Sequence, residues 1–563
     1  MERVRFFGIS LVVAILFFAV PQGAHAATKY WVGGNGDNVG TNANDWSTTD
    51  PSACTDGAGN ASAVPGSSDI AVFDADCDNN ATIAANWSVA GLSITSGYTG
   101  TLTQSSSFTL TVGTSNYSQA DGTFTGGTGA ITMNGTFTLS GGTVTFGNQT
   151  ITTKFDWTYT AGTIDAGTST VVFGTTGGVA KTITGSHSLY NVTFNNSVNG
   201  GASTWTIAVG TTLTALGTLT FDNTGDSGTT INTGTLAAQG NISIADNSTY
   251  NGSATLLING TGSQTMTGSA TVSSGAIPNV NINKASGTLT LSGTIRTIVG
   301  WTYTAGTIDA GTSTVVFGTT GGVAKTITGS HSLYNVTFNN SVNGGASTWT
   351  IAVGTTLTAL GTLTFDNTGD SGTTINTGTL AAQGNVVVAS GGNYTGTTAF
   401  QFTGTNNQNF DLTGATTLLD LNTTINKASG TVTLLSALTM DVSGQDLTIT
   451  SGTLDLHGYN LTVNDVLTVS SGAFLQLYGA ETITATTKTL STGSTVKFTG
   501  DGDTVADTYP VTAQFSASYK NLTIASTDGT TDIFQSGATL TVAGTFSIGA
   551  TSAYNLNSYT LTA

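Results

Sequence analysis

Along most of the chain, apolar and polar residues alternate singly in runs of three to five. Leu92-Ser93-Ile94-Thr95, Thr109-Leu110-Thr111-Val112, Ile131-Thr132-Met133 and Thr143-Val144-Thr145-Phe146 are typical. A period of two turns the apolar side chains to one face of a strand and Thr to the other. Gly-Gly, Ser-Gly and Asn-Gly pairs end most of these runs, and only 5 residues are Pro. Strands this short and this often interrupted predict rungs rather than long hairpins. No stretch after the leader carries a 3.6-residue period, so essentially no helix is expected.

The rungs belong to repeats. Trp157 to Asn241 returns residue for residue as Trp301 to Asn385, 144 positions later. A closed core cannot usually absorb such a block in its middle, whereas a stack of units that touch only their neighbours can. An older repeat lies beneath the duplication. Leu-Tyr-Asn-Val-Thr-Phe stands at 189–194 and 333–338, with weaker relatives at 278–282 and 519–524. The expected fold is all-β: a single-stranded, right-handed parallel β-helix (β-solenoid), the handedness being the default for parallel crossovers. At about 20 residues and ~4.8 Å per rung it would be a rod on the order of 100 Å long. The competitors are a β-propeller, which needs longer strands at a stricter period, and tandem β-sandwiches.

Three segments are expected. Residues 1–26 carry Arg3 and Arg5, an apolar run from Phe6 to Val20, and Ala24-His25-Ala26. That is a secretory signal with cleavage before Ala27, too short in its apolar part to span a bilayer. Residues 27–86 differ in texture and hold both cysteines, Cys54 and Cys77. In an exported chain such a pair predicts a disulfide, and the segment is assigned as an N-terminal capping module. Residues 87–563 are the β-helix repeats, expected to be incomplete because Ser558 to Ala563 breaks off in a strand-like run.

The opening Tyr30-Trp31-Val32-Gly33-Gly34 with Trp46, the run Val64 to Asp74, the run Ala81 to Gln104, and later Ser451 to Val463 resemble large secreted bacterial β-helical repeat proteins of the adhesin-like surface class. The resemblance implies a parallel β-helix at, or released from, the cell surface. It carries over no catalytic residue.

Charge narrows the partners. The chain has a formal net charge of −18 and only 12 Lys and Arg. No nucleic-acid partner is expected, since phosphate contacts need clustered cations. No membrane insertion is expected after signal cleavage. A carbohydrate or another cell-surface ligand is the expected partner, and the chain is expected not to be an enzyme. The alternative is a β-helical polysaccharide lyase or hydrolase, which requires converging carboxylates or a basic side chain. Asp165 and Asp309 are copies in one turn, and Lys284 and Lys427 lie in repeated segments assigned to turns, so all four are assigned to structure. His187, His331 and His457 lack neighbours at metal-ligand spacing and are expected at the surface.

No cofactor is expected beyond structural calcium. Its candidate ligands are Asp74, Asp76 and Asp78, and Asp501, Asp503 and Asp507, because alternating carboxylates suit Ca²⁺. Gly33 to Asp37 approaches a calcium-repeat phrase once. Trp157, Trp205, Trp301 and Trp349 are expected in the core. The Thr-Leu-Thr runs at 212–214 and 218–220 would suit an ice lattice, yet Thr is also the ordinary residue of a wet strand face.

Overall fold

The computed structural model describes residues 26–563 apart from 175–179, 198–200, 226, 320–323, 342–344, 368, 370, 371, 391, 415–418, 517 and 528–531. The leader expected over 1–26 lies, but for Ala26, outside the described residues. From there the chain winds into a β-solenoid of about 20 turns. The helical element among the described residues is one short 3-10 turn, Ala43–Asp45.

A regular coil has three strands, such as Tyr117–Gln119, Thr123–Thr125 and Ile131–Met133. Each pairs in parallel with its equivalent one coil on: Phe137–Leu139, Thr143–Thr145 and Thr150–Thr153. This stacking excludes propeller blades and sandwiches, whose strands pair antiparallel. The alternation explains the packing. Leu110, Ile131, Ile151 and Val171 stack in register and are all fully buried, while Thr111, Thr132 and Thr152 between them face out. Aromatic columns do the same: Phe137 stacks on Trp157 at 3.9 Å, and Phe194 lies between Phe173 and Phe221. Trp157, Trp205, Trp301 and Trp349 are fully buried, as expected. One hydrophobic cluster runs from Trp31 to Val542.

Corners are held by asparagine. In the Leu-Tyr-Asn-Val-Thr-Phe phrase, Leu189, Val192 and Phe194 point inward, and Asn191 Oδ1 accepts the Thr218 N–H of the next coil at 2.8 Å. Asn335 and Asn521 accept from Thr362 and Thr545 in the same way, both at 2.9 Å. A backbone amide at a bend has no ladder partner, so each side chain satisfies a donor that would otherwise be left unpaired.

Coil length varies. Phe137 pairs with Trp157, 20 residues later, whereas Val192 pairs with Leu219, 27 later. These increments place the two identical copies out of phase. Thr170–Phe173 pairs with Asn191–Phe194, on the side that continues through Leu219–Phe221 and Ile242–Ile244. Its copy, Thr314–Phe317, pairs below with 294–297, and so with Ala276–Ile277. Backbone bonds from Tyr250 to Ala276 and from Ile231 to Asn251 continue that side down to Thr229–Asn232, and thence to Ser203–Ile207 and Ala180–Thr184. The 144-residue step is therefore six coils and one side of the triangle. Identical sequence faces different neighbours: Trp205 Nε1 has no partner, whereas Trp349 Nε1 donates to Gly318 O at 3.2 Å.

The stack begins at Ala27–Trp31, which pairs in parallel with Asp69–Phe73, which in turn pairs with Gly91–Ile94. No break in the sheet marks the boundary expected after residue 86. The outermost strand, Trp46–Ser47, is antiparallel to 30–31. Trp31, Trp46, Phe73 and Trp87 fill this end with ring centroids 5.2–6.2 Å apart. Cys54 and Cys77 form the expected disulfide, with Cα atoms 4.6 Å apart.

Candidate functional site

The residues singled out from the sequence are mostly consumed by the coil. Asp165 and Asp309 accept the Gly167 and Gly311 N–H groups two residues on, which is turn chemistry. Lys284 and Lys427 are not in turns, as expected, but in the strands Asn279–Thr297 and Thr423–Leu434, and they are buried. Each ammonium bonds carbonyls of the coil below and a glutamine there: Gly260 O, Gly262 O and Gln264 for Lys284, Thr403 O, Asn406 O and Gln408 for Lys427. Burial holds both below the usual lysine pKa.

The expectation of surface histidines is corrected for two of the three. His187 and His331 pack inside the coil against Trp157 and Tyr159, and against Trp301 and Tyr303. Each Nδ1 lies 2.7 Å from a glycine carbonyl, Gly185 O or Gly329 O. Those glycines have φ of +83° and +82°, and a Cβ on either would collide with the Tyr159 or Tyr303 carbonyl. Desolvation pushes His187 down to about 4, and His331 in the same direction.

Of the calcium candidates, Asp501, Asp503 and Asp507 do come together, with carboxylate oxygens within 4.8 Å of one another. Asp74 and Asp76 gather with Asp50 instead of Asp78, whose carboxylate accepts the Thr99 N–H at 2.6 Å. Sequence spacing hides this because Asp50 is returned to Asp74 by the fold-back that the disulfide closes. A third set, Asp37, Asp45 and Asp56, was not anticipated as a group. Many of these oxygens already accept nearby amides: Asp76 N on Asp74, Asp503 N on Asp501, Val505 N on Asp503. Local turns thus explain the acidic positions.

The Thr-Leu-Thr runs at 212–214 and 218–220 do not build a lattice. Thr212 stacks on Thr235, but Thr214 meets Ala237 and Thr220 meets Ser243. Register is kept elsewhere, where Thr101 and Thr103 stack on Thr123 and Thr125, and these on Thr143 and Thr145.

One outward face near the C-terminal end differs from all of these. Phe474–Leu477 puts Leu475 and Leu477 inward and therefore Phe474 and Gln476 outward. Phe474 stands between Thr453 and Thr495 in a column that runs from Thr431 to Asn521. Beside it runs a second column, Asp455, Gln476, Lys497 and Thr523. Thr431, Thr453, Phe474 and Thr495 of the first column and Gln476, Lys497 and Thr523 of the second line an open groove of about 430 Å³, while Asp455 is buried. Gln476 donates to Asp455 Oδ2 at 2.9 Å and accepts from Lys497 Nζ at 3.3 Å. Asp455 Oδ1 also accepts the His457 N–H, and burial raises its carboxyl above the usual carboxylate pKa. The groove therefore offers an amide and an ammonium on successive coils along the solenoid axis, the amide held by the buried Asp455.

Around the adjoining corner, Tyr478 OH lies 2.6 Å from His457 Nδ1, and burial raises the phenol to about 12. Glu481 beneath it is buried and accepts three backbone N–H groups, those of Gly458, Tyr478 and Gly479. Sequence inspection missed the groove, although the parity of Ala473-Phe474-Leu475-Gln476-Leu477 already puts an aromatic residue on the wet face.

These features define the class: a parallel β-solenoid with a filled core and, among the described residues, an outer groove that carries Phe474. Comparison with protein-family models, curated proteins and solved structures returns no match for the chain.

Proposed function

We propose that the protein is a non-enzymatic, exported β-solenoid that serves as an elongated spacer or adhesin at or outside the cell surface. The single observation behind this reading is the unbroken stack from Trp31 to Val542 around one side-chain-filled core. Such a body places distant surfaces about 100 Å apart at ~4.8 Å per coil. It also directs buried ionisable groups to coil carbonyls and amides, as Lys284, Lys427, His187 and Glu481 show. The disulfide is compatible with an oxidising compartment. No helix of the described residues is long and apolar enough to cross a membrane. Immobilised carbohydrates and whole cell surfaces test the reading. Retention on at least one, without release of sugar fragments, is the expected outcome. Retention on none, with turnover of a polysaccharide, replaces this reading with that of a β-helical enzyme.

A further inference from the structure

We propose that the outward face carrying Phe474, Gln476 and Lys497 is a binding site for an extended neutral polysaccharide built of hexopyranoses, lying along the solenoid axis. The proposal rests on the reading of the chain as a surface-binding solenoid and names the ligand class of its groove.

The aromatic ring comes first. Phe474 is 40% exposed, and among the described residues it is the one exposed aromatic side chain that belongs to a strand. Tyr459 and Tyr559, the other exposed aromatics, lie outside strands. The positions stacked above and below Phe474 are Thr. A ring exposed in the middle of a hydroxyl-covered sheet gains nothing from the core, because Leu475 and Leu477 fill it. An apolar shelf flanked by a few placed polar groups is instead the composition of a ligand site. A pyranose ring matches it, having one face of C–H bonds and a rim of hydroxyls.

The rim has its partners in place. Sugar hydroxyls donate and accept at once, so they need both kinds of group side by side. Gln476 and Lys497 supply an amide and an ammonium donor on successive coils, and the hydroxyls of Thr453, Thr495 and Thr523, which line the same groove, can both donate and accept. Lys497 holds its one described hydrogen bond at 3.3 Å, leaving N–H capacity toward the groove. From Thr431 to Thr523 the groove spans four coil steps, roughly 19 Å at ~4.8 Å each. That length accommodates several linked sugars and not a single one. Charge selects the neutral class. The chain carries a formal net −18, which repels polyuronates and sulfated glycans, and Lys497 stands in line with the carboxylate of Asp455.

Titration calorimetry of the intact chain with cellohexaose, chitohexaose, mannohexaose, laminarihexaose and hexagalacturonate tests the proposal. At least one neutral hexaose is expected to bind, and more tightly than hexagalacturonate. Phe474→Ala is expected to weaken it tenfold or more, equivalent to about 1.4 kcal/mol, with an unchanged melting temperature, and Phe474→Trp to retain it. Binding of none of the neutral hexaoses, preference for the uronate, or equal affinity in Phe474→Ala overturns the proposal. Retention of the intact chain on a surface alongside such a failure overturns the groove but leaves the broader reading standing. Such a failure together with retention on no surface overturns both.

Discussion

Acidification provides a measurable test of how the duplicated histidines are packed. In the folded chain His187 is neutral, with Nδ1 facing Gly185 O and Nε2 buried without a partner. Protonation would place a charge on Nε2 against Trp157 and Tyr159, with no acceptor to receive it. Desolvation lowers the folded pKa from 6.5 to about 4. The unfolded chain takes up its proton near 6.5, so it binds more protons than the native state between those two values. Stability is therefore complete above about pH 6.5, falls as pH drops toward 4, and levels off below it. A difference of about 2.5 pKa units corresponds to roughly 3 kcal/mol at the limit. His331 shifts in the same direction for the same reason. Most of the fall lies above pH 5, where ordinary aspartates are not yet titrating. Urea denaturation at pH 7, 6 and 5, comparing wild type with the His187→Gln/His331→Gln double variant, isolates the effect. The wild type should lose stability with each step and the variant should be nearly flat. Equal slopes, or a His187 ring proton that titrates near 6.5 by NMR, would refute the reasoning.

Three further outcomes follow from particular contacts. Reducing Cys54–Cys77 should destabilise the first coils by about 3 kcal/mol on the loop-entropy model, read as a lower first transition in calorimetry with reductant. Glu481→Ala strands the amides of Gly458, Tyr478 and Gly479. It should cost about 3 kcal/mol and raise hydrogen exchange in the coils around 458–481. Asn191→Ala, which orphans one corner amide, should cost about 1 kcal/mol, and Asn335→Ala should match it closely because its corner is a copy.

The sequence revealed inside from outside, but not height or azimuth. Alternation in Thr143-Val144-Thr145-Phe146 already told which side chains meet the core, and the buried tryptophans followed from their place in such runs. What alternation cannot carry is coil length, because turns of 20 and 27 residues stack equally well. The one-side offset between the identical copies was therefore invisible. So were groupings that join distant coils, such as Asp50 with Asp74 and Asp76. Some signals were present but not used. Gln264 precedes Lys284 by 20 residues and Gln408 precedes Lys427 by 19, a recurrence that marks a stacked polar pair. His187 lies two residues from Gly185 and 30 from Trp157, and only the coil brings that ring and that carbonyl to the same imidazole.

The account holds that coils add length without altering the body they extend, and excision of one repeat tests this most directly. Joining Asp156 to Trp301 removes 157–300 and leaves the sequence after the junction unchanged through Asn385. Small-angle scattering should show a maximum dimension shorter by about 30 Å, six and one-third coils at ~4.8 Å, with a melting temperature close to that of the full chain. An unchanged length, or a shortened chain that fails to fold cooperatively, would contradict it.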